Sequence, residues 1–355
     1  MALILSIVQD FEQSFPIWPV YRPKPDKLQF APLGLPLEWC SHGPAFPAAM
    51  SKPSADPSTP SAGTPEVLEW TGASGPLRLK LYRGAPGRRS DVLVVIFPPG
   101  GFVVADLDGA DECLQVMAQT CRVNVLAPSY AVAPEHPFPA AVEDAHAVLT
   151  QAVRQRAKLG WWGTHLFVGG VEAGGNLAAV SALVCRDRQG PKLAGQILIM
   201  PMLDASLHSD SMRHAADTPN TGAVVQAVEH GYRSYLPRPA DRLHPYASPL
   251  QSTRLAGLPP ALVMHAQGDP LSDEARAYAD KLEAAGVSVQ RASLPPWQVD
   301  DRCAATPDDP CMSALAVFLA PYVDTTVVAR SPAQANDPHL SSSPSSLPSR
   351  KRSHS

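Results

Sequence analysis

The stretch LFVGGVEAGGNLA, residues 166–178, decides the fold that this sequence can adopt. An apolar run from Leu166 to Val168 meets a group of small residues, and a helical pattern begins near Gly174. Gly170 and Gly174 stand two residues to either side of Glu172. Only small residues at those positions let the backbone turn tightly enough to lift residue 172 above the end of a sheet. The stretch therefore predicts a strand, a sharp turn that carries Glu172, and a helix.

This arrangement resembles the G-D-S-A-G-G-N-L-A elbow of the hormone-sensitive-lipase-like carboxylesterases, a branch of the α/β-hydrolase superfamily. Three further blocks follow the family order: Pro98–Phe102 against H-G-G-G-F, Ala133–Ala145 against A-P-E-H-P-F-P-A-A-x-E-D-A, and Asp269–Glu274 against D-P-L-x-D-E. Together they extend the resemblance over roughly residues 66–322. The resemblance implies an α/β-hydrolase fold, with a mostly parallel central sheet, helices on both faces and a helical cap.

The chain divides into three parts. Residues 1–65 are proline-rich and end in a Pro/Ser-rich linker, and the resemblance implies that they contribute to the cap. Residues 66–327 form the α/β-hydrolase domain, with a cap insertion at about 205–247. Residues 328–355 are rich in Ser and Pro and cannot bury a core, so we expect a disordered tail.

Composition excludes some classes of protein. Apolar residues make up 45% of the 355, enough for a large core, and the net charge of -4 does not favour nucleic acid. No apolar run approaches the roughly 18 residues of a membrane span. We therefore expect a cytoplasmic protein with reduced thiols, since the cysteines lack C-x-x-C spacing and only Cys303 and Cys311 could pair. The sequence does not indicate the oligomeric state.

Several elements can be predicted from local patterns. Leu77–Tyr82 alternates with period two, as expected of an antiparallel edge strand, and Val287–Val289 reads as the last strand. Glu143 and Asp144 are expected to open a helix, where the helix dipole favours acids.

The resemblance also assigns the catalytic positions. The family needs a nucleophilic serine, a histidine and an acid. Here the nucleophile position is Glu172, the acid position is Asp269, and the histidine position is Val299 by spacing. The H-G-F motif of the family is replaced around Val299. His136 belongs to an architectural block, and His265 is expected to point elsewhere.

The oxyanion hole is the fourth catalytic part. Pro99 has no N–H, so the donors that remain are Gly100, Gly101 and Ala173. Glu172 is longer than serine by two heavy atoms and negatively charged. We therefore hypothesise that its carboxylate turns back and occupies these donors itself.

These departures predict a degenerate carboxylesterase-like protein without Ser-type hydrolysis. We expect it to bind a small apolar or ester-like ligand in the cleft between cap and core, or to bind a partner. The plant gibberellin receptors, which look like the same branch with the histidine replaced, support a receptor function. The alternatives are residual esterase activity, covalent catalysis through Glu172, and acid–base chemistry by a Glu172/Asp269 pair. No metal is expected, because two carboxylates alone bind metals weakly, and no cofactor is expected.

Overall fold

The computed structural model describes residues 64–84, 90–217, 219–296 and 306–323. For residues 219 and 220 only the backbone is described. The predicted N-terminal cap segment, the tail, Val299 and Cys303 lie outside these ranges. No helix in the described ranges is long and apolar enough to cross a bilayer.

A single twisted sheet forms the centre of the described chain. Its order is β1-β2-β4-β3-β5-β6-β7-β8, with antiparallel pairing of β1 with β2 and of β2 with β4, and parallel pairing elsewhere. The strands are β1 (Glu66–Thr71), β2 (Pro76–Tyr82), β3 (Ser90–Phe97), β4 (Asn124–Pro128), β5 (Trp161–Val171), β6 (Gly195–Ile199), β7 (Ala261–Ala266) and β8 (Val289–Leu294). The predicted α/β-hydrolase architecture is confirmed.

Helices cover both faces of this sheet. They are α1 (Asp111–Cys121), α2 (Ala140–Arg154), α3 (Ala173–Asp187), α4 (Asp210–Ala216), α5 (Pro219–Tyr235), α6 (Ser272–Ala284) and α7 (Pro310–Leu319). Because side chains alternate along a strand, β3 supplies both cores. Leu93 and Val95 join the cluster that contains residues of α2, α3 and α6, whereas Val92 and Val94 join the cluster with α1 and α7. The continuous apolar run of β3 thus reflects burial on both faces.

Two strand predictions need correction. Leu77–Tyr82 is antiparallel but is not an edge strand, because β2 lies between β1 and β4. Its alternation arises because Leu77, Leu79 and Leu81 all face one core cluster. The last strand is Val289–Leu294 rather than Val287–Val289.

The prediction for Asp144 is also wrong. Helix α2 begins at Ala140, so Glu143 lies in its first turn but Asp144 does not open the helix. The Asp144 carboxylate is buried and accepts hydrogen bonds from the backbone N–H groups of Ala73, Ser74 and Ala131. It therefore joins the β1–β2 turn to the loop after β4.

The predicted cap insertion contains α4, α5 and a 3-10 helix at Pro239–Leu243. Helix α5 lies directly on the loop after β3. A Cβ atom at Gly231 would come within 2.3 Å of the Gly101 carbonyl oxygen, so only glycine permits this approach. The boundaries at 205 and 247 stay a prediction.

Candidate functional site

Glu172 occupies the sharp turn between β5 and α3. Its backbone has φ 56° and ψ -113°, in the left-handed half of the map that side chains other than glycine rarely occupy. Its N–H donates to the Ile199 carbonyl (3.0 Å), and its carbonyl accepts from the N–H groups of Asn176 and Met202 (both 3.1 Å). Strain at this one residue is therefore held by three backbone hydrogen bonds.

The flanking glycines make the turn possible. A Cβ atom at Gly170 would lie 2.1 Å from the Gly174 carbonyl oxygen, and one at Gly174 would lie 2.1 Å from the Phe97 carbonyl oxygen. Both neighbours are backbone atoms and cannot move aside. The steric reason for the glycine spacing is thus visible in the structure.

The loop after β3 faces this turn. Gly100, Gly101 and Phe102 all have positive φ (134°, 57° and 65°), which directs successive N–H groups towards residue 172. The Tyr130 hydroxyl lies within hydrogen-bond distance of the carbonyl oxygens of Pro98 (3.2 Å) and Val104 (3.3 Å) and fixes the loop from below. The loop therefore forms a cradle of backbone donors that Tyr130 helps to hold in place.

The Glu172 carboxylate occupies this cradle. Its Oε2 atom accepts hydrogen bonds from the N–H groups of Gly100 (2.8 Å) and Gly101 (3.3 Å). The contact hypothesised from the length of the side chain is therefore present. Only 4% of the residue is exposed.

Electrostatics at Glu172 are a balance of opposing effects. Burial raises the pKa of its carboxyl above the ordinary value, whereas the backbone N–H groups of Gly100, Gly101 and Ala173 oppose the rise because they stabilise the charged form. All three donors assigned to the oxyanion hole thus act on the Glu172 carboxyl.

Aromatic side chains of α5 pack on Phe102, which follows Gly101 in the loop after β3. Phe102 stacks on Tyr235 with 3.9 Å between ring centroids and 4° between planes, and Tyr232 lies 5.8 Å from Phe102. The Phe138 N–H donates to the Tyr235 carbonyl (2.9 Å), which ties the Ala133–Ala145 block to α5. The loop after β3 is therefore packed against aromatic side chains of α5.

Asp269 lies in the turn after β7. Its Oδ1 atom accepts from the Leu271 N–H (3.0 Å), whereas its Oδ2 atom is buried without a hydrogen-bond partner. Burial raises the pKa of Asp269 to about 6, and the charge of Glu172 contributes to the rise. The acid–base pair of Glu172 and Asp269 stays an alternative, to which this electrostatic contribution is relevant.

Glu274, at the start of α6, is a buried acid that was not predicted to be part of the site. Its Oε2 atom accepts from the N–H groups of Leu203 (2.8 Å) and Asp204 (3.0 Å), while Oε1 has no hydrogen-bond partner. Burial raises the pKa of Glu274 to about 8, with a contribution from Asp269. Its place in the Asp269–Glu274 block was the available signal.

His136 and His265 have hydrogen-bond partners other than these acids. His136 is exposed, and its backbone N–H donates to the Val132 carbonyl (2.9 Å). The His265 Nδ1 atom lies 3.2 Å from the Ala292 carbonyl oxygen on β8. Within the described ranges, no group of three or more His, Cys, Asp and Glu side chains is arranged to hold a metal ion.

A family model described as an alpha/beta hydrolase fold matches residues 94–295. The chain belongs to this family. The resemblance drawn from the sequence motifs is thereby confirmed.

Two curated relatives of this chain are named as ester hydrolases. The chain is 35% identical over 204 residues to carboxylesterase NlhH of Mycobacterium tuberculosis, covering 57% of this chain and 64% of the enzyme. It is 38% identical over 201 residues to ethyl acetate hydrolase of Pseudomonas putida, covering 55% of this chain and 61% of that enzyme. The matched stretch thus spans less than two thirds of either relative.

A solved structure supports the same fold. A serine-to-alanine mutant of an α/β-hydrolase enzyme from the metagenome of Lake Arreo superposes with a TM-score of 0.66 at 30% identity, covering 75% of this chain and 84% of that one. The fold and its esterase-containing family are therefore established for this chain.

Proposed function

We propose that this α/β-hydrolase binds a small apolar ligand between cap and core and does not hydrolyse esters by the serine mechanism. The observation that carries the proposal is the position of the Glu172 carboxylate, hydrogen-bonded to the Gly100 and Gly101 N–H groups. Those are the donors that an ester oxyanion would need.

Occupied donors cannot stabilise a developing oxyanion. Loss of one such donor typically raises the barrier by about 3–4 kcal/mol. Here two of the donors are taken up, because both donate to the same oxygen of the Glu172 carboxylate. The negative charge of Glu172 would also repel the oxyanion. The chain has no serine at residue 172, and the spacing-based histidine position holds valine. The proposal follows from the sum of these departures.

A hydrolase with a non-standard Glu172/Asp269 site is the second candidate. It is favoured by the pKa of Asp269 near 6, which suits a group that exchanges protons at neutral pH, and by the esterases among the relatives. In that case, the rate should follow the ionisation of Asp269 and disappear in Asp269→Asn.

Turnover of p-nitrophenyl acetate and butyrate separates the two candidates. We expect wild type and Glu172→Ala to show the same background rate, with Glu229→Ala as the matched control, since Glu229 is an exposed carboxylate on α5. Thermal shifts with small apolar esters should detect binding without turnover. If wild type turns over the ester and Glu172→Ala abolishes this turnover, the proposal is contradicted and the chain is an enzyme.

A further inference from the structure

A cavity of about 330 Å³ lies at the surface beside the C-terminal end of α3. Its other walls are residues 244–246, where the chain returns from the predicted cap insertion, and residues 251–254, at the end of the 3-10 helix Pro249–Gln251. The volume lies within the range of about 300–1,000 Å³ that is typical of small-molecule sites. The cavity shares no residue with the site around Glu172. It therefore offers room for a small molecule outside that site.

His244 and Tyr246 form an aromatic wall of this cavity. The His244 ring lies 5.3 Å from the Tyr246 ring and 5.3 Å from the Phe138 ring, measured between centroids. Ala247, which follows Tyr246, donates its N–H to the His244 carbonyl (2.8 Å), and its own carbonyl accepts from the Asn176 side-chain amide (2.8 Å). Contacts with Phe138 and α3 thus hold the wall in place.

The lining also supplies neutral hydrogen-bond donors. The Tyr246 N–H donates to His244 Nδ1 (3.0 Å), so a neutral imidazole at this position carries its proton on Nε2. Within the described ranges, the side chains of Gln251 and Thr253 have no hydrogen-bond partner, and both residues line the cavity. A bound ligand can therefore accept hydrogen bonds here without displacing one that the chain already makes.

The charge of the lining favours an anion. Arg186 and Asp187 form an ion pair (2.8 Å), and the Tyr246 hydroxyl donates to the second oxygen of the same carboxylate (2.9 Å). Arg254, the other arginine of the lining, takes part in none of the ion pairs that the described residues form. With histidine counted as neutral, two arginines against one aspartate leave one positive charge without an acidic partner.

We propose that this cavity binds a small organic oxyanion, a carboxylate or a phosphate monoester joined to a flat apolar ring. The Arg254 guanidinium pairs with the oxyanion, because its fork of N–H donors matches carboxylate and phosphate oxygens. His244 Nε2 and the side chains of Gln251 and Thr253 add neutral donors, and the ring packs on His244 and Tyr246. A neutral ligand of the same shape would leave the Arg254 charge without a partner.

A matched series of ligands tests the proposal. Calorimetry and thermal shift on the full chain at about pH 7 would compare phenyl phosphate, benzoate, benzyl alcohol and inorganic phosphate at equal ionic strength. We expect saturable binding of phenyl phosphate, of benzoate or of both, and the comparison of the two identifies the preferred oxyanion. Benzyl alcohol keeps the ring without the charge, and inorganic phosphate keeps the charge without the ring. Each should bind at least about tenfold more weakly.

Variants locate the binding. Arg254→Gln should weaken the binding of the preferred oxyanion at least about tenfold, and His244→Phe, which keeps a ring but removes the Nε2 donor, should weaken it by a smaller factor. Arg154→Gln is the matched control, since Arg154 is also an exposed arginine outside the ion pairs of the described residues. Glu172→Gln should bind as wild type does, because this inference goes beyond the proposed function and does not use Glu172.

Four results would overturn the inference. They are benzyl alcohol binding as tight as that of the oxyanions, no saturable binding of either oxyanion, equal losses in Arg254→Gln and Arg154→Gln, and lost binding in Glu172→Gln. The third would indicate a general attraction of anions to the surface, and the fourth would place the ligand at the other site. If Arg254→Gln does not fold, His244→Phe and the ligand series decide. The ester assay tests the proposed function alone, so the two failures are distinguishable.

Discussion

Glu172 and Asp269 stand at the nucleophile and acid positions that the resemblance assigns, yet their carboxyl groups have different hydrogen-bond partners. Glu172 Oε2 accepts two backbone N–H hydrogen bonds from the loop after β3. Asp269 accepts one, from Leu271, and leaves Oδ2 bare. The comparison shows that a buried acidic side chain is stabilised where the fold already presents backbone N–H donors to it. Asp269 has no such set of donors, and burial raises its pKa to about 6 instead.

The largest expected effect comes from disrupting the turn that carries Glu172. In Gly174→Ala the new Cβ atom would lie 2.1 Å from the Phe97 carbonyl oxygen, so the elbow cannot form as it stands. We expect a loss of more than about 3 kcal/mol in the free energy of unfolding, measured by urea denaturation. Gly268→Ala is the control, because its φ is also positive (75°) but no atom lies near the new Cβ. It should cost about 1 kcal/mol.

Glu274→Gln tests a second buried acid with an oxygen that accepts no hydrogen bond. The folded pKa is raised to about 8, so the folded protein holds the proton that the unfolded chain releases near pH 4.5. The stability of wild type should therefore fall as the pH rises from about 4.5 to about 8. Near pH 9, Glu274→Gln should be more stable than wild type by about 3 kcal/mol. Parallel stability–pH curves for the two proteins would show that Glu274 is not buried as described.

Glu172→Ala and Glu172→Gln sharpen the comparison at the cradle. Alanine leaves the Gly100 and Gly101 N–H groups without their acceptor, and we expect a loss of about 2 kcal/mol. Glutamine retains an oxygen for the same donors and removes the buried charge, so it should stay within about 1 kcal/mol of wild type. Thermal unfolding of both variants measures the contrast. Equal losses would indicate that the charge, not the acceptor, matters.

Asp269→Asn should have the smallest effect on stability. Its folded pKa of about 6 lies above the ordinary value, so stability declines as the pH rises from about 4 to about 6 and is then level. At neutral pH the asparagine variant should exceed wild type by about 1–2 kcal/mol, and at pH 4 the two should coincide. A destabilised variant at both pH values would mean that the carboxylate makes contacts beyond the Leu271 N–H.

The same contrast explains what could be predicted from the sequence. The elbow and the position of Glu172 follow from local spacing, because glycine sterics act over a few residues. The contact of Glu172 with Gly100 followed from side-chain length once the resemblance placed the two blocks together. No knowledge of the three-dimensional structure of this chain was needed to predict these features.

Long-range contacts were harder to predict. Asp144 was expected at a helix start, but it binds Ala73 and Ser74, 71 and 70 residues away. Glu274 likewise binds the Leu203 N–H, 71 residues away. Burial of an acid depends on which backbone donors the fold brings to it, and a single sequence carries no direct signal of that. The prediction of an edge strand at Leu77–Tyr82 was wrong for a similar reason, because β1 pairs with its outer side.

The contact between Glu172 and the amide cradle is the central claim, and amide NMR tests it most directly. The Gly100 and Gly101 amide protons should resonate downfield in wild type, because both donate to a buried carboxylate. In Glu172→Gln both should move upfield, with the larger change at Gly100, whose hydrogen bond is shorter. Unchanged shifts at both glycines would contradict the account, since the carboxylate would then lie elsewhere.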